Sequence, residues 1–196
     1  MFPSSYILKV WRNYNTSQKQ VMNNLLEISS NDLKDVADLL VRTRDQGRRV
    51  YLAGNGGSAS TVSHFAADLE NLGFDTKCLV DNPARITALI NDVGWGDIYT
   101  EQMNHFKKGD VLILASVHGA VGADRAGPWS RNLYAAAMLA IDKGGVVLSF
   151  VGNDGGALKE ISLFCLSISS ADPYIVEGIH SVLTHLICAK IEELIT

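Results

Sequence analysis

The sequence predicts an α/β protein: a three-layer α/β/α sandwich built on a five-stranded parallel sheet and preceded by two helices. Three observations predict it. Short apolar runs recur at RVYLA (49–53), TKCLV (76–80), DVLILAS (110–116), GVVLSFV (145–151) and LFCLSI (163–168). Their unbroken, β-branched character suits strands covered on both faces. Each run is followed by a segment that can hold a helix, and strand alternating with helix gives right-handed crossovers and a doubly wound sheet. In such a sheet ligands collect outside the carboxyl ends of the strands.

The elements follow in order. Tyr6, Val10, Val21, Leu25 and Ile28 keep helical spacing, and SNDLKDVADLLVRTRDQG starts with a Ser30 or Asn31 cap and stops at Gly47. The closing DPYIVEGIHSVLTHLICAKIEELIT has Pro173 near its start and apolar positions at Ile175, Ile179, Val182, Leu183, Leu186, Ile187, Ile191 and Leu194. It reads as a long amphipathic helix. Two leading helices and so apolar a last helix exceed what one small sheet needs, so a homo-oligomer is expected to bury the excess. Residues 1–196 are expected to form a single domain, with residues 1–29 used in oligomer packing.

Composition narrows the function classes. Of 196 residues, 47% are apolar and only four are proline, enough for one sizeable core. Lys plus Arg number 17 against 21 Asp plus Glu, a net charge of −4. That balance gives no electrostatic footprint for nucleic acid or for an anionic membrane surface. Cys78, Cys165 and Cys188 are odd in number, lack CxxC spacing and lie in apolar segments, which points to buried free thiols in a reduced compartment. With no signal-peptide pattern and no bilayer-length apolar run, a soluble cytoplasmic protein is expected. The basic run RTRDQGRR reads as a solvated helix end, and GNDGGALKE at 152–160 as a structural turn into a helix.

The stretch YLAGNGGSASTVSHFAADLE (51–70) carries the chemistry. Gly54, Asn55, Gly56, Gly57, Ser58 and Ser60 follow a strand and open a helix. Such a backbone can take positive φ and aim N–H groups and a helix dipole at an anion. The same residues also suit a plain strand-to-helix turn, and neither a P-loop lysine nor GxGxxG spacing is present. His64 and Asp68, four apart, share one helix face and can share an ion or a substrate.

GNGGSAS followed by SHFAADL resembles the sugar isomerase (SIS) domain, and within it the phosphoheptose isomerase group. INDVGWGDIYTEQM, KKGDVLILAS and VEGIHSVLTHLICAKIEE continue the resemblance in the same order, from about residue 30 onward. It implies a flavodoxin-like sandwich, a homotetramer or possibly a dimer with active sites between subunits, and interconversion of sedoheptulose 7-phosphate with a heptose 7-phosphate. By motif, Asn55, Gly56, Gly57, Ser58, Asn91 and Asp92 would contact substrate. One zinc per subunit is implied, with His64 and Asp68 in the places of the family's metal-binding His and of its Glu, which is also the base. Glu177 stands where the family has Gln, as a metal and substrate ligand, and His185 where it has its ligand and acid/base His.

That set suits an aldose–ketose conversion, in which one group takes a proton from the carbon beside the carbonyl and another handles the oxygen protons. Zinc held by His and carboxylate supplies positive charge for the enediolate. Geometry sets a condition. On an unbroken helix Glu177 and His185 lie about 12 Å apart along the axis, so both reach one ion only through a distorted first turn or from different subunits. His180 is the rival ligand by spacing.

The departures bear on substrate. Asp68 is one methylene shorter than the family's Glu. The family's hydroxyl-rich phosphate loop after the GDVL strand is here SVHGAVGADRAGPWSRN. Ser116 stays, Val117 and His118 replace hydroxyl residues, and Ser130 stands in for the last serine. His118, Arg125 and Arg131 can supply cationic phosphate contacts. The family's Arg after HFAEEL is missing. A non-catalytic SIS protein that binds a replication initiator or senses a sugar phosphate is the alternative, and metal content separates the two.

Overall fold

The computed structural model describes residues 30–120 and 130–196, together with positions 5, 8, 9, 12, 15, 16, 19 and 23, which are helical. The rest of the first expected helix and residues 121–129, Arg125 among them, lie outside the described residues. The elements are α1 (Ser30–Asp45), β1 (Val50–Gly54), α2 (Gly57–Asn71), β2 (Thr76–Cys78), α3 (Pro83–Asp92), β3 (Val111–Ser116), α4 (Arg131–Asp142), β4 (Val146–Gly152), α5 (Gly156–Ile161), β5 (Phe164–Ile168) and α6 (Pro173–Ile195). Two 3₁₀ turns, Trp95–Asp97 and Thr100–Gln102, stand between α3 and β3.

All five strands pair in parallel, in the order β2-β1-β3-β4-β5. Every residue of β1 and β3 is buried, as their unbroken apolar sequence requires. Alternate side chains then leave opposite faces of the sheet. Val50, Leu52, Val111, Ile113, Ala115, Leu148 and Phe150 join one core beneath α1, α2 and α6. Tyr51, Ala53, Leu112, Leu114, Val147 and Val151 join the other, with residues of α4 and with Ile98, Tyr99 and Met103, which flank the 3₁₀ turns. The three-layer expectation is met.

Local chemistry sets the helix ends. Asp172 caps α6 by accepting from the Tyr174 N–H, with Pro173 at the first helical position. Asn82 caps α3 in the same way through the Arg85 N–H. The three cysteines are free but half-buried rather than fully enclosed; burial still pushes the thiols of Cys78 and Cys188 up to about 12. Among the described residues no helix is long and apolar enough to cross a membrane.

Candidate active site at the switch point and on the flank of α2

Strand β1 lies between β2 and β3, so the chain leaves it in one direction across the sheet and later returns on the other side. A cleft opens outside the carboxyl ends of strands that diverge in this way. Here it has a volume of about 190 Å³ and is lined by Asn55 and Ser58 from the β1–α2 turn, Ser116 to His118 after β3, Ser130 before α4, and Glu177 of α6. Six of the residues expected to touch substrate (Asn55, Ser58, Ser116, Val117, His118 and Ser130) thus meet at one place, with Glu177 as a seventh.

Asn55 is held by neighbours the sequence reading did not single out. Its side-chain amide pairs reciprocally with that of Asn132, both bonds 3.0 Å. Asn132 is fully buried, and its Oδ1 also accepts from the Leu133 N–H. The Tyr99 hydroxyl donates to the Gly54 carbonyl at 2.6 Å and lies 2.9 Å from Asn55 Oδ1. Burial pushes the Tyr99 pKa upward, which keeps the hydroxyl a donor. Asn132 was legible only as a polar residue at the start of a helix, and Tyr99 only as part of GWGDIYTEQM. Asn132→Ala is expected to release the Asn55 amide and lower kcat/KM for the sugar phosphate that the motifs imply about tenfold, the equivalent of one or two hydrogen bonds. Steady-state kinetics on the variant checks this.

Gly57 explains the glycines of the turn. A Cβ there would run into the Glu177 carboxylate, so the absence of a side chain lets Glu177 rest over the first turn of α2, where the dipole favours negative charge. On the far side of the cleft Gly119, at φ +64°, packs against the Gly155 carbonyl with no room for a Cβ, and its own carbonyl accepts from the Leu158 N–H at 2.9 Å. The structural reading of GNDGGALKE holds, and that turn is what anchors the base of the 116–120 loop.

A second constellation lies further along the same two helices. His64 and Asp68 of α2 meet His185 of α6, the three offering ligand atoms within 4.8 Å of one another. Asp68 Oδ2 is 3.7 Å from His64 Nε2 and 3.8 Å from His185 Nε2. The two imidazole rings meet edge-on with centroids 5.1 Å apart. Both histidines are exposed and Asp68 is half-exposed.

Three expectations need correction or restriction. Glu177 does not join the His64, Asp68 and His185 group within one chain: α6 runs as one α-helix from Pro173 to Ile195, and its rise keeps Glu177 about 12 Å from His185. His180 is no rival ligand, because it is fully buried, packed on the Phe150 ring at 6.0 Å, and aimed into the core. Asn91 and Asp92 are exposed at the end of α3, bonded to each other at 3.0 Å, and line no part of the cleft.

Residues 13–123, more than half of the chain, match the family described as SIS domain. The chain belongs to the SIS domain family. A phosphoheptose isomerase of Helicobacter pylori is 32% identical to this SIS chain over 183 residues, covering 90% of it and 91% of the relative. A lincomycin biosynthesis protein of Streptomyces lincolnensis, LmbN, is 36% identical over 188 residues, covering 86% of this chain and 67% of the relative. The structure of a phosphoheptose isomerase from Francisella tularensis superposes with a TM-score of 0.85 at 22% identity, covering 98% of the SIS chain and all of the other. That likeness shows the shared fold.

Proposed function

We propose that the protein is an aldose–ketose isomerase acting on a phosphorylated sugar, sedoheptulose 7-phosphate to a heptose 7-phosphate or a close variant. The observation that carries this reading is the exposed His64, Asp68 and His185 group on the two helices that also form the cleft. Relatives named phosphoheptose isomerase, at 31–35% identity, support the reaction class. The relative named for lincomycin biosynthesis and the altered 116–130 loop support leaving room for a variant sugar.

Zinc suits the three side chains. Ligands about 2.0–2.2 Å from a tetrahedral ion stand about 3.4 Å from one another, close to the 3.7 and 3.8 Å separations from Asp68 to the two histidines. Three protein ligands with a position left open are the catalytic pattern of this metal. When bound, zinc would supply positive charge to the carbonyl and to the enediolate oxygens.

The chain's own residues divide the remaining work. Asp68 takes the proton from the carbon beside the carbonyl and returns it to the neighbouring carbon, and His185 moves the oxygen protons. Asn55, Gly56, Gly57, Ser58 and Glu177 bind sugar hydroxyls. Ser116, Val117, His118 and Ser130 surround the phosphate, with the α4 amino terminus behind them.

Cleft and metal group do not coincide within one chain. Six and ten residues separate Ser58 from His64 and Asp68, about 9 and 15 Å along α2. We place their union across a subunit interface, in a homotetramer or a dimer. Exposed Val182 and Leu186 flank His185, and exposed Ile90, Val93 and Trp95 flank Asn91 and Asp92. Exposed apolar residues around polar site residues mark contact surfaces. Docking such faces would bring Asn91, Asp92 or a second copy's Glu177 to the metal group.

The test is incubation of purified protein with sedoheptulose 7-phosphate and a panel of ketose phosphates, with metal analysis on the same sample. Aldose product and about one zinc per subunit are expected. No product from any substrate, in metal-free protein of normal stability, would favour a binding protein on the same fold.

A further inference from the structure

The outer edge of the sheet, away from the cleft, carries a cationic groove. One part, of about 330 Å³, is lined by Lys77, Cys78, Asn82, Arg85, Glu101, Gln102, Asn104 and His105. The other, of about 240 Å³, shares His105 and continues past Arg49, Tyr51, Asp75 and Lys107 to Asp110. Lys77 joins the two, its ammonium 5.8 Å from the centre of the Tyr51 ring.

The acids along this groove are largely engaged. Asp110 is fully buried and accepts the Arg49 and Lys107 main-chain N–H groups. Asp75 is paired to Arg49 at 2.9 Å. Glu101 remains as the acid lining the same part of the groove as Lys77 and Arg85. Lys77 is held in place by the Gln102 carbonyl at 2.6 Å, and Gln102 is itself fixed by the Leu79 and Ile98 carbonyls. Burial, and then the charges of Arg49 and Arg85, hold the Lys77 pKa below its usual value. Asn82 caps α3 at the same place, so a helix amino terminus faces the groove. In the second part the Tyr51 side chain is buried with the Arg49 guanidinium beside its hydroxyl, and the hydroxyl proton has no acceptor. A buried donor in that state is costly.

We propose that this groove binds a small phosphorylated molecule at a site separate from the cleft, with Lys77, Arg85, His105 and the α3 amino terminus on the phosphate and Tyr51 donating to the remainder. Like charges clustered around a fixed lysine in a chain of net charge −4 are relieved by an anion. Lysine and arginine side chains at a helix start are the chemistry that takes a phosphate.

Titration calorimetry at low salt with inorganic pyrophosphate as probe tests this on the full chain. The wild-type protein is expected to bind. Arg85→Ala, an exposed position, and Lys77→Met should each weaken binding about tenfold or more while isomerase turnover without pyrophosphate is unchanged. Tyr51→Phe should weaken it with no loss of thermal stability. His118→Ala in the cleft should leave this binding intact. Absence of binding by the wild type would overturn the proposal. So would binding lost in His118→Ala and kept in Arg85→Ala. Turnover of sugar phosphate, measured separately, reports on the isomerase reading alone.

Discussion

Asp68→Asn is expected to lower kcat by roughly 10²–10⁴-fold, the usual contribution of a positioned general base, while the protein stays folded. The amide keeps the shape of the side chain but cannot accept the substrate proton. It also withdraws the only carboxylate of the three-residue group, whose Oδ2 stands 3.7 and 3.8 Å from the two histidines. Metal content should therefore fall along with kcat. Asp68→Glu separates the two effects. It lengthens the side chain to that of the family's usual base, so it should keep the metal and retain or raise activity, because rate is sensitive to displacements of about an ångström. His185→Ala should reduce both metal and kcat, whereas His118→Ala in the cleft should act mainly on KM. Kinetics with metal analysis on each variant decides the matter. An Asp68→Asn enzyme with near-normal kcat would remove Asp68 from the role of base.

Stability should decline as pH falls below neutrality, and His180 should account for much of the decline. Its ring is fully buried against Phe150, with no well-formed hydrogen bond at either nitrogen and the Val151 main chain as its polar neighbour. Burial pulls its pKa from 6.5 down to about 4, against a smaller upward pull from the Val151 main chain. The sign follows from proton binding. Above 6.5 both folded and unfolded forms are neutral; between 6.5 and about 4 the unfolded form takes up a proton that the folded form refuses. Unfolding therefore becomes easier as pH drops through that window, by about 3 kcal/mol in all. His180→Leu should abolish this share of the slope. It should also stabilise the protein at neutral pH, since it removes a poorly paired polar ring from the core. Urea unfolding of both proteins between pH 4.5 and 7.5 measures it, and parallel curves would show that His180 is not held neutral by the fold.

The two histidines of α6 show how far sequence reached. His180 and His185 stand on one helix, three and eight residues after Glu177, and spacing alone preferred the one that the fold buries. The resemblance to the family favoured His185, and the fold agrees: Ile179, His180, Leu183 and Ile187 face the core, while Val182, His185 and Leu186 face outward. Which stripe of a helix with apolar residues on most of its sides turns inward depends on the helices and sheet it packs against. No pattern in that helix alone declares it.

Other features were legible for direct physical reasons. Strands covered on both faces must be continuously apolar, so all five strand runs were placed within a residue or two, and with them the layers and the parallel sheet. Glycines that admit a close neighbour also announce themselves, and the GNGGS turn lies where it was expected, with Gly57 giving way to Glu177. The family, and the reaction class it supports, could be read from the ordered motifs. Tertiary structure alone decided that Asn132 and Tyr99 fix Asn55, that Glu177 sits over α2 instead of beside His185, and that the cleft and the His64, Asp68 and His185 group are separate within one chain. Each of these depends on which distant residues the sheet order β2-β1-β3-β4-β5 brings together. Periodicity records how a segment meets its surroundings, whereas a site is made by the distances between segments, and those exist only once the chain is folded.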